Sequence, residues 1–231
     1  MTSKSLQFLE LAEKIPVLRS VVTRIKYAAL EQQKLAVDAN IRAIPVFEFE
    51  EKHVKDCKVV SCRNELLRLM PKGAAAELGV DQGDFSQRIL DIAEPEVLHL
   101  VDIWGTSRYG DDKAEAVKQR FAAEIARDAV MIKRCLSTDG LAEFDDAALD
   151  WVYIDTNHRY ITTLEELQLA APKVKPGGFI AGHDFVDCNL RTSFKYGVIE
   201  AVTQFCVEND WRLAIWTANL SENNSFAITR L

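Results

Sequence analysis

The sequence has no C-x-x-C pair, no internal repeat and no low-complexity segment. It also has no apolar run near the roughly 20 residues that a membrane-spanning helix requires. Its five cysteines, Cys57, Cys62, Cys135, Cys188 and Cys206, are scattered and odd in number. That argues against a disulfide framework or a zinc knuckle and for buried free thiols. Met1-Thr2-Ser3-Lys4 lacks the apolar stretch of a secretory signal, so the expected location is the cytoplasm, with no membrane partner. Basic charge is in deficit, with 28 Lys and Arg against 35 Asp and Glu and a net charge of −7. Such a balance gives no broad grip on nucleic acid and points to a small-molecule substrate.

What is present is the composition of an ordinary globular protein, 48% hydrophobic and 27% charged over 231 residues. Residues 1–64 read as a helical N-terminal extension. Leu6, Leu9, Ala12 and Ile15, then Val22, Ile25 and Ala29, fall at helical spacing, punctuated by Pro16 and Pro45. The ordinary role of such a segment is to cover an edge or face of the next domain. The sharper alternatives are a homo-oligomer assembled through these helices, or a cap over a substrate pocket.

Residues 65–231 form the second unit. Short apolar runs alternate with longer amphipathic stretches, the pattern of a parallel sheet with crossover helices. Strands are expected at Ala74 to Val80, Val97 to Ile103, Ala129 to Cys135, Asp150 to Asp155 and Gly178 to His183. Helices are expected over Lys113 to Arg127 and Leu164 to Ala171. A helix from Val198 leads to two last strands, Arg212 to Ala218 and Phe226 to Leu231, joined by Ser221-Glu222-Asn223-Asn224. The expected fold is α/β and doubly wound, a Rossmann-like, seven-stranded, mostly parallel sheet with one antiparallel strand from the C-terminal hairpin. Ligands in such sheets bind beyond the carboxyl ends of the strands, so the chemistry is sought there.

The first strand runs into Glu77-Leu78-Gly79-Val80-Asp81-Gln82-Gly83-Asp84-Phe85-Ser86, a glycine-bearing turn where a helix should begin. A dinucleotide site would present bare glycines to a pyrophosphate, whereas this turn carries Glu77, Asp81 and Asp84. S-adenosylmethionine has no phosphate and bears a sulfonium and an ammonium against one carboxylate, so an acidic cradle suits it better. The next strand delivers Asp102 and Ile103 at the distance from the loop expected of a carboxylate that bonds a ribose diol. On its own Asp102 would serve as well to cap a helix or end a strand.

The ordered set Glu77-x-Gly79-x-Asp81-x-Gly83, Asp102, Tyr153-Ile154-Asp155-x-x-His158-x-Tyr160, Lys175-Pro176-Gly177-Gly178 and Gly182-His183-Asp184 resembles class I methyltransferases. Within that family it is most similar to the small-molecule O-methyltransferase-like group. The resemblance covers about residues 65–231. It implies that Glu77, Gly79, Gly83 and Asp102 surround the methionine portion and ribose of S-adenosylmethionine, with Ser137 near adenine; Asp81, Phe85, Ser86, Ile103 and Asp155 are further cofactor-binding candidates. Asp81 stands where many members have glycine.

Asp155, Asn157, His158 and Tyr160 follow one strand closely, and His183-Asp184 ends a neighbouring one. Methyl transfer to a hydroxyl requires an in-line acceptor and loss of its proton. Two devices would remove the proton. In one, Asp155 and Asp184, assisted by His183 or Asn157, hold a hard cation such as Mg²⁺ that acidifies the hydroxyl. In the other, His158 is the general base and no metal is needed. The two acids favour the first slightly. As alternatives to any catalytic role, these acids cap helices and these histidines are merely hydrogen-bonded at the rim.

His53, at the end of a charged run, is expected on a solvated face, and His99 inside an apolar strand. Trp104 reads as packing, and Arg108, Tyr109 and Arg191 as rim contacts. The leading expectation is a methyltransferase acting on an oxygen of a small polar acceptor such as a sugar or phenol. The rivals are an NAD-dependent oxidoreductase, a catalytically inactive cofactor-binding interaction protein, and a glycan- or antibiotic-modifying enzyme of another reaction type.

Overall fold

A computed structural model describes residues 22–28, 31–32, 43–106, 109–189, 194–219 and 221–231. Leu6, Leu9, Ala12, Ile15, Pro16, Ala29, Arg108 and Arg191 lie outside the described residues. The chain divides into two compact units, Met1–Pro45 and Val46–Leu231. In the first, residues 22–28 are helical. No helix among the described residues is long and apolar enough to cross a membrane.

The second unit opens with α1 (Glu51–Val54), β1 (Lys58–Val60) and α2 (Arg63–Leu67). The alternation expected from the apolar runs follows: β2 (Ala74–Leu78), α3 (Asp84–Ile92), β3 (Val97–Val101), α4 (Asp111–Arg120), α5 (Ala122–Ala126) and β4 (Val130–Lys133). It continues through α6 (Ser137–Ala142), β5 (Leu149–Ile154), α7 (Tyr160–Lys173) and β6 (Val174–Gly182). A two-stranded ribbon of β7 (Cys188–Asn189) and β8 (Phe194–Lys195) precedes α8 (Val198–Asn209), β9 (Trp211–Thr217) and β10 (Phe226–Arg230).

The main sheet runs β1-β9-β10-β6-β5-β2-β3-β4. Only β10 is antiparallel to its neighbours, lying between β6 and β9. The strand order reverses at β2, between β3 and β5, and the cleft opens at that switch point. The sheet has eight strands where seven were expected, because Lys58-Val59-Val60 pairs in parallel with Ile215-Trp216-Thr217. Residues 58–60, expected within the helical N-terminal extension, are thus an edge strand of the second unit.

Period-two alternation sorts the strand residues onto two cores. Ala75, Trp151, Tyr153, Ala181 and Ile215 pack with α2, α3 and α4 through Leu66, Ile89 and Val117. Ala76, Leu78, Val152, Ile154 and Ile180 pack with α7 and α8 through Leu167, Ala170, Val202 and Phe205. Both faces are thus covered by helices. Burying a leucine or valine of this kind fully is worth about 1.5–3 kcal/mol.

His53 departs from its expectation: it is fully buried, and Nδ1 accepts the Glu50 amide at 3.0 Å. His99 stands edge-on to Phe144, with centroids 4.8 Å apart.

Candidate active site

A cleft of about 950 Å³ lies beyond the carboxyl ends of β2, β3 and β5. Glu77, Gly79, Asp81 and Phe85 line it from the first loop, and Asp102 and Ile103 from the second. Ser137 lines it from the start of α6, and Asp155 and His158 from the segment after β5.

Gly79 has φ +89°, and a Cβ there would run into the Asp155 carbonyl, so the close approach of the β2 and β5 ends requires glycine. Asp81, where the resemblance led to an expectation of glycine, has φ 53° and keeps the left-handed turn, which aspartate tolerates better than most residues. Its carbonyl accepts the Trp104 indole N–H at 2.8 Å, and Trp104 is buried packing as expected. Gly83 is the left-handed N-cap of α3 and packs against Phe121, away from the cleft lining.

The open acidic cradle expected from the sequence is corrected by this arrangement. Asp81 is paired with Lys113, and Asp84 with Arg120 at 2.6 Å. Glu77 is 1% exposed and accepts the Ser86 hydroxyl. Burial pushes its carboxyl up to about 8, the Ser86 bond opposing and the charges of Asp155 and Asp102 adding. Glu77 is therefore largely protonated at neutral pH. Ser86 faces this buried carboxyl, and the three-carboxylate argument against phosphate no longer holds.

Asp102 is committed to the backbone. Oδ2 accepts the amides of Val80 at 2.9 Å and Asp81 at 3.0 Å, and Oδ1 accepts the Trp104 amide at 2.9 Å. A carboxylate has about four lone-pair sites, so its free capacity toward a ribose is small. Its clearest structural role is to hold the first loop against the second.

After β5, the chain turns through His158, at φ 60°, to meet the end of β6, where Asp184 has φ 56°. His158 Nε2 stands 2.9 Å from Asp184 Oδ2, and His183 Nδ1 stands 3.3 Å from Asp184 Oδ1 and 3.8 Å from Asp155 Oδ2. Burial pushes the Asp155 carboxyl up, His183 opposing and Asp184 adding to the rise. Burial works against ionisation of Asp184 too, but His183, Asn223 and His158 together hold its carboxyl below the ordinary range.

Donor atoms of Asp155, His158 and Asp184 lie within 4.8 Å of one another. The third member of this set is His158, where the sequence suggested His183 or Asn157. His183 instead borders a small enclosed space beside Thr156 and Thr163, with Nε2 buried and unpartnered. Asn157 donates to Thr162 at 3.1 Å and accepts the Arg159 amide. Tyr160, at the head of α7, bonds Gln204 of α8.

Three parts of the site were not anticipated. Asn223, in the β9–β10 turn, donates to Asp184 Oδ1. Arg63, at the start of α2, pairs with Glu222 at 3.0 Å, stacks 4.8 Å over Phe85 and brings positive charge toward Tyr153 and Asp155. Glu166, fully buried on α7, accepts hydroxyls from Ser137 and Thr156. Only the polar turn 221–224 was visible in the sequence, and there merely as a turn. At the outer rim, Phe194 and Tyr196 make an aromatic wall, and Tyr196 meets His158 edge-on at 4.8 Å.

The reversed strand order, the helices on both faces, the cleft at the strand ends and antiparallel β10 between β6 and β9 give a Rossmann-like fold of the methyltransferase type. Residues 76–185 match the family model described as a methyltransferase domain. The chain thus carries a match to a methyltransferase domain over nearly half of its length and shares the fold of solved methyltransferases. No curated protein matches it in sequence.

Among solved structures, it is similar to a putative rRNA-methylase from Clostridium thermocellum, with 14% identity, TM-score 0.56 and coverage of 73% of this chain and 93% of that one. It is also similar to geranyl diphosphate C-methyltransferase from Streptomyces coelicolor A3(2), solved with Mg²⁺, geranyl diphosphate and S-adenosyl-L-homocysteine. There the identity is 12%, the TM-score 0.56, and the coverage 73% and 78%. Cofactor-bound Rv0187 from MTB is similar over 88% of this chain and 90% of its own, at 16% identity and TM-score 0.54.

Proposed function

We propose that the protein transfers the methyl group of S-adenosylmethionine to an oxygen of a small-molecule acceptor. The observation that carries this reading is the convergence of Asp155, His158 and Asp184 at the same strand ends as the donor loop, with Asp155 and His158 lining the shared cleft. Ile103 and Leu136, 45% and 51% exposed, offer apolar surface on the cleft wall beside Ser137 for a flat adenine ring. The aromatic wall of Phe194 and Tyr196 suits the ring of a sugar or phenol. The net charge of −7 favours such an acceptor over nucleic acid.

In the reaction a C–O bond forms as the C–S bond breaks, the sulfonium becomes the thioether of S-adenosylhomocysteine, and the hydroxyl proton leaves. Two carboxylates and one imidazole within 4.8 Å of one another fit a divalent cation, Mn²⁺ by donor type as well as Mg²⁺. Bound by Asp155, His158 and Asp184, it would supply Lewis-acid polarisation of the acceptor oxygen. Asn223 and His183 orient Asp184, and Gly79 lets the donor loop close on the end of β5.

A second reading rests on the 2.9 Å contact of His158 with Asp184. With Nε2–H donated to that carboxylate, Nδ1 is the proton acceptor and His158 serves as direct general base.

Calorimetric titration of the full chain with S-adenosylmethionine, S-adenosylhomocysteine and NAD, each with and without Mg²⁺, tests the donor. Binding of the first two alone supports the proposal and justifies an acceptor screen. Binding of NAD alone overturns it in favour of an oxidoreductase, and silence throughout points to an interaction protein.

A further inference from the structure

Glu166 is a buried carboxyl that the chemistry above does not use. It sits on the inner face of α7, fully buried, and each of its oxygens meets a different loop. Oε1 accepts the hydroxyl of Ser137, the first residue of α6, in the segment after β4. Oε2 accepts the hydroxyl of Thr156 at 2.9 Å, in the segment after β5. Both hydroxyl-bearing residues line the cleft, whereas Glu166 does not. The side chain thus stands behind the wall as a brace between two lining loops that no backbone ladder joins, since β4 and β5 lie at separate positions in the sheet.

A buried carboxyl is a costly way to fill space. Burying a carboxyl costs desolvation free energy that an apolar side chain of similar volume avoids, and the two hydroxyls it holds border the cleft, where water can replace it, so stability alone does not account for it. What an apolar side chain cannot do is fix two hydroxyls at once. On the reading that the cleft takes S-adenosylmethionine with adenine beside Ser137, we infer that Glu166 is a positioning residue of the donor cleft. It sets the spacing of the Ser137 and Thr156 loops and acts on the cofactor only through them. Burial pushes its carboxyl up to about 7, the hydroxyls of Ser137 and Thr156 opposing and Glu165 adding to the rise. A glutamine of the same shape should hold both hydroxyls, its carbonyl oxygen accepting one and its amide donating to the other.

The test is S-adenosylhomocysteine affinity by calorimetry together with thermal melting of the unliganded full chain. Glu166→Leu, which keeps the volume, should melt at or above the wild-type temperature. It should bind S-adenosylhomocysteine about tenfold more weakly, the equivalent of one to two hydrogen bonds. Glu166→Gln should recover binding to within about threefold of wild type. Ser137→Ala should add little in the Glu166→Leu background, because the two changes break one bond.

Wild-type affinity in the leucine variant, no recovery with glutamine, or full additivity with Ser137→Ala would each overturn the inference. Should the leucine variant not fold, Ser137→Ala/Thr156→Val releases the same two bonds from the cleft side, and wild-type affinity in that double variant overturns it equally. A wild-type chain that does not bind S-adenosylhomocysteine at all removes the donor reading itself, and the inference with it.

Discussion

His158 and Asp184 meet at 2.9 Å across the ends of β5 and β6, and each reaches that meeting through a left-handed backbone turn. Non-glycine residues in that region are uncommon, and two of them facing one another beside a cleft mark a built arrangement. His158→Gln and Asp184→Asn should each lower methyl transfer by about 10²–10⁴-fold, the ordinary share of a positioned proton acceptor. S-adenosylhomocysteine affinity should stay within about threefold of wild type, because these groups lie on the acceptor side. A single-turnover assay with labelled donor, beside calorimetry, separates the two effects. Equal losses in both would place this pair in donor binding instead.

The cation reading makes its own prediction. Mn²⁺ or Mg²⁺ should raise the melting temperature of the chelated protein, since an ion that binds only the folded state stabilises it by mass action. At an ion concentration a hundred times the dissociation constant, the gain is about 2.7 kcal/mol. Asp155→Asn and His158→Ala should abolish that shift. A wild-type protein that neither shifts nor loses activity after exhaustive chelation leaves His158 as the direct base.

Asp102 binds three backbone amides at 2.9–3.0 Å, so its removal should be felt as loss of loop order. Hydrogen bonds to a charged group contribute about 1.5–3 kcal/mol each. Asp102→Asn keeps the shape but turns one acceptor into a donor facing an N–H. It should lower both the melting temperature and S-adenosylhomocysteine affinity, the latter by about ten- to a hundredfold. If the affinity falls while the melting temperature does not move, Asp102 contacts the ribose more than it braces the loop.

Much of this architecture was legible because runs such as Val97–Val101 and Leu149–Ile154 are mostly buried and carry their signal locally. The acids at their ends, Asp102 and Asp155, were legible for the same reason. β1 was not, because Lys58-Val59-Val60 has only three residues and becomes a strand through the edge that β9 offers it. The charge state of the donor loop was also hidden. Asp81 and Lys113 are 32 residues apart, Asp84 and Arg120 are 36 apart, and no local pattern announces either pairing. Asn223 reaches Asp184 across 39 residues, and Arg63 reaches Glu222 across 159. Side chains that complete a site from distant loops leave no spacing rule to read.

The junction of β2 and β5 makes a sharp prediction at Gly79. Its φ of +89° strains any L side chain, and an added Cβ meets backbone atoms of Asp155 and Thr156, which cannot swing aside. Gly79→Ala should therefore destabilise the protein by at least about 1–3 kcal/mol from backbone strain alone. It should also remove S-adenosylhomocysteine binding. Asp81→Gly, at a position already left-handed at φ 53°, should leave the melting temperature nearly unchanged. Denaturant titration of the pair is the check, and equal destabilisation in both variants would refute this account of the loop.

Glu77 carries a pH signature of defined sign. Burial raises its carboxyl from 4.5 to about 8 in the folded protein, so the folded chain keeps a proton that the unfolded chain releases. Below pH 4.5 both states are protonated and the contribution to stability is complete. As pH climbs from there to about 8 the unfolded state gains by ionising, and folding stability falls, levelling once the folded-state carboxyl has also ionised. Glu166 and Asp155, whose carboxyls burial also raises, contribute falls of the same sign, so the Glu77 share of the upper stretch is the part that a Glu77 variant removes. Glu77→Gln, which cannot ionise and can still accept the Ser86 hydroxyl, should flatten that upper stretch. The wild-type loss across the whole range should be on the order of a few kcal/mol. Urea denaturation at half-unit steps from pH 5 to 9 reads both curves, and a glutamine variant that keeps the wild-type slope above pH 7 would show that Glu77 is already ionised in its pocket.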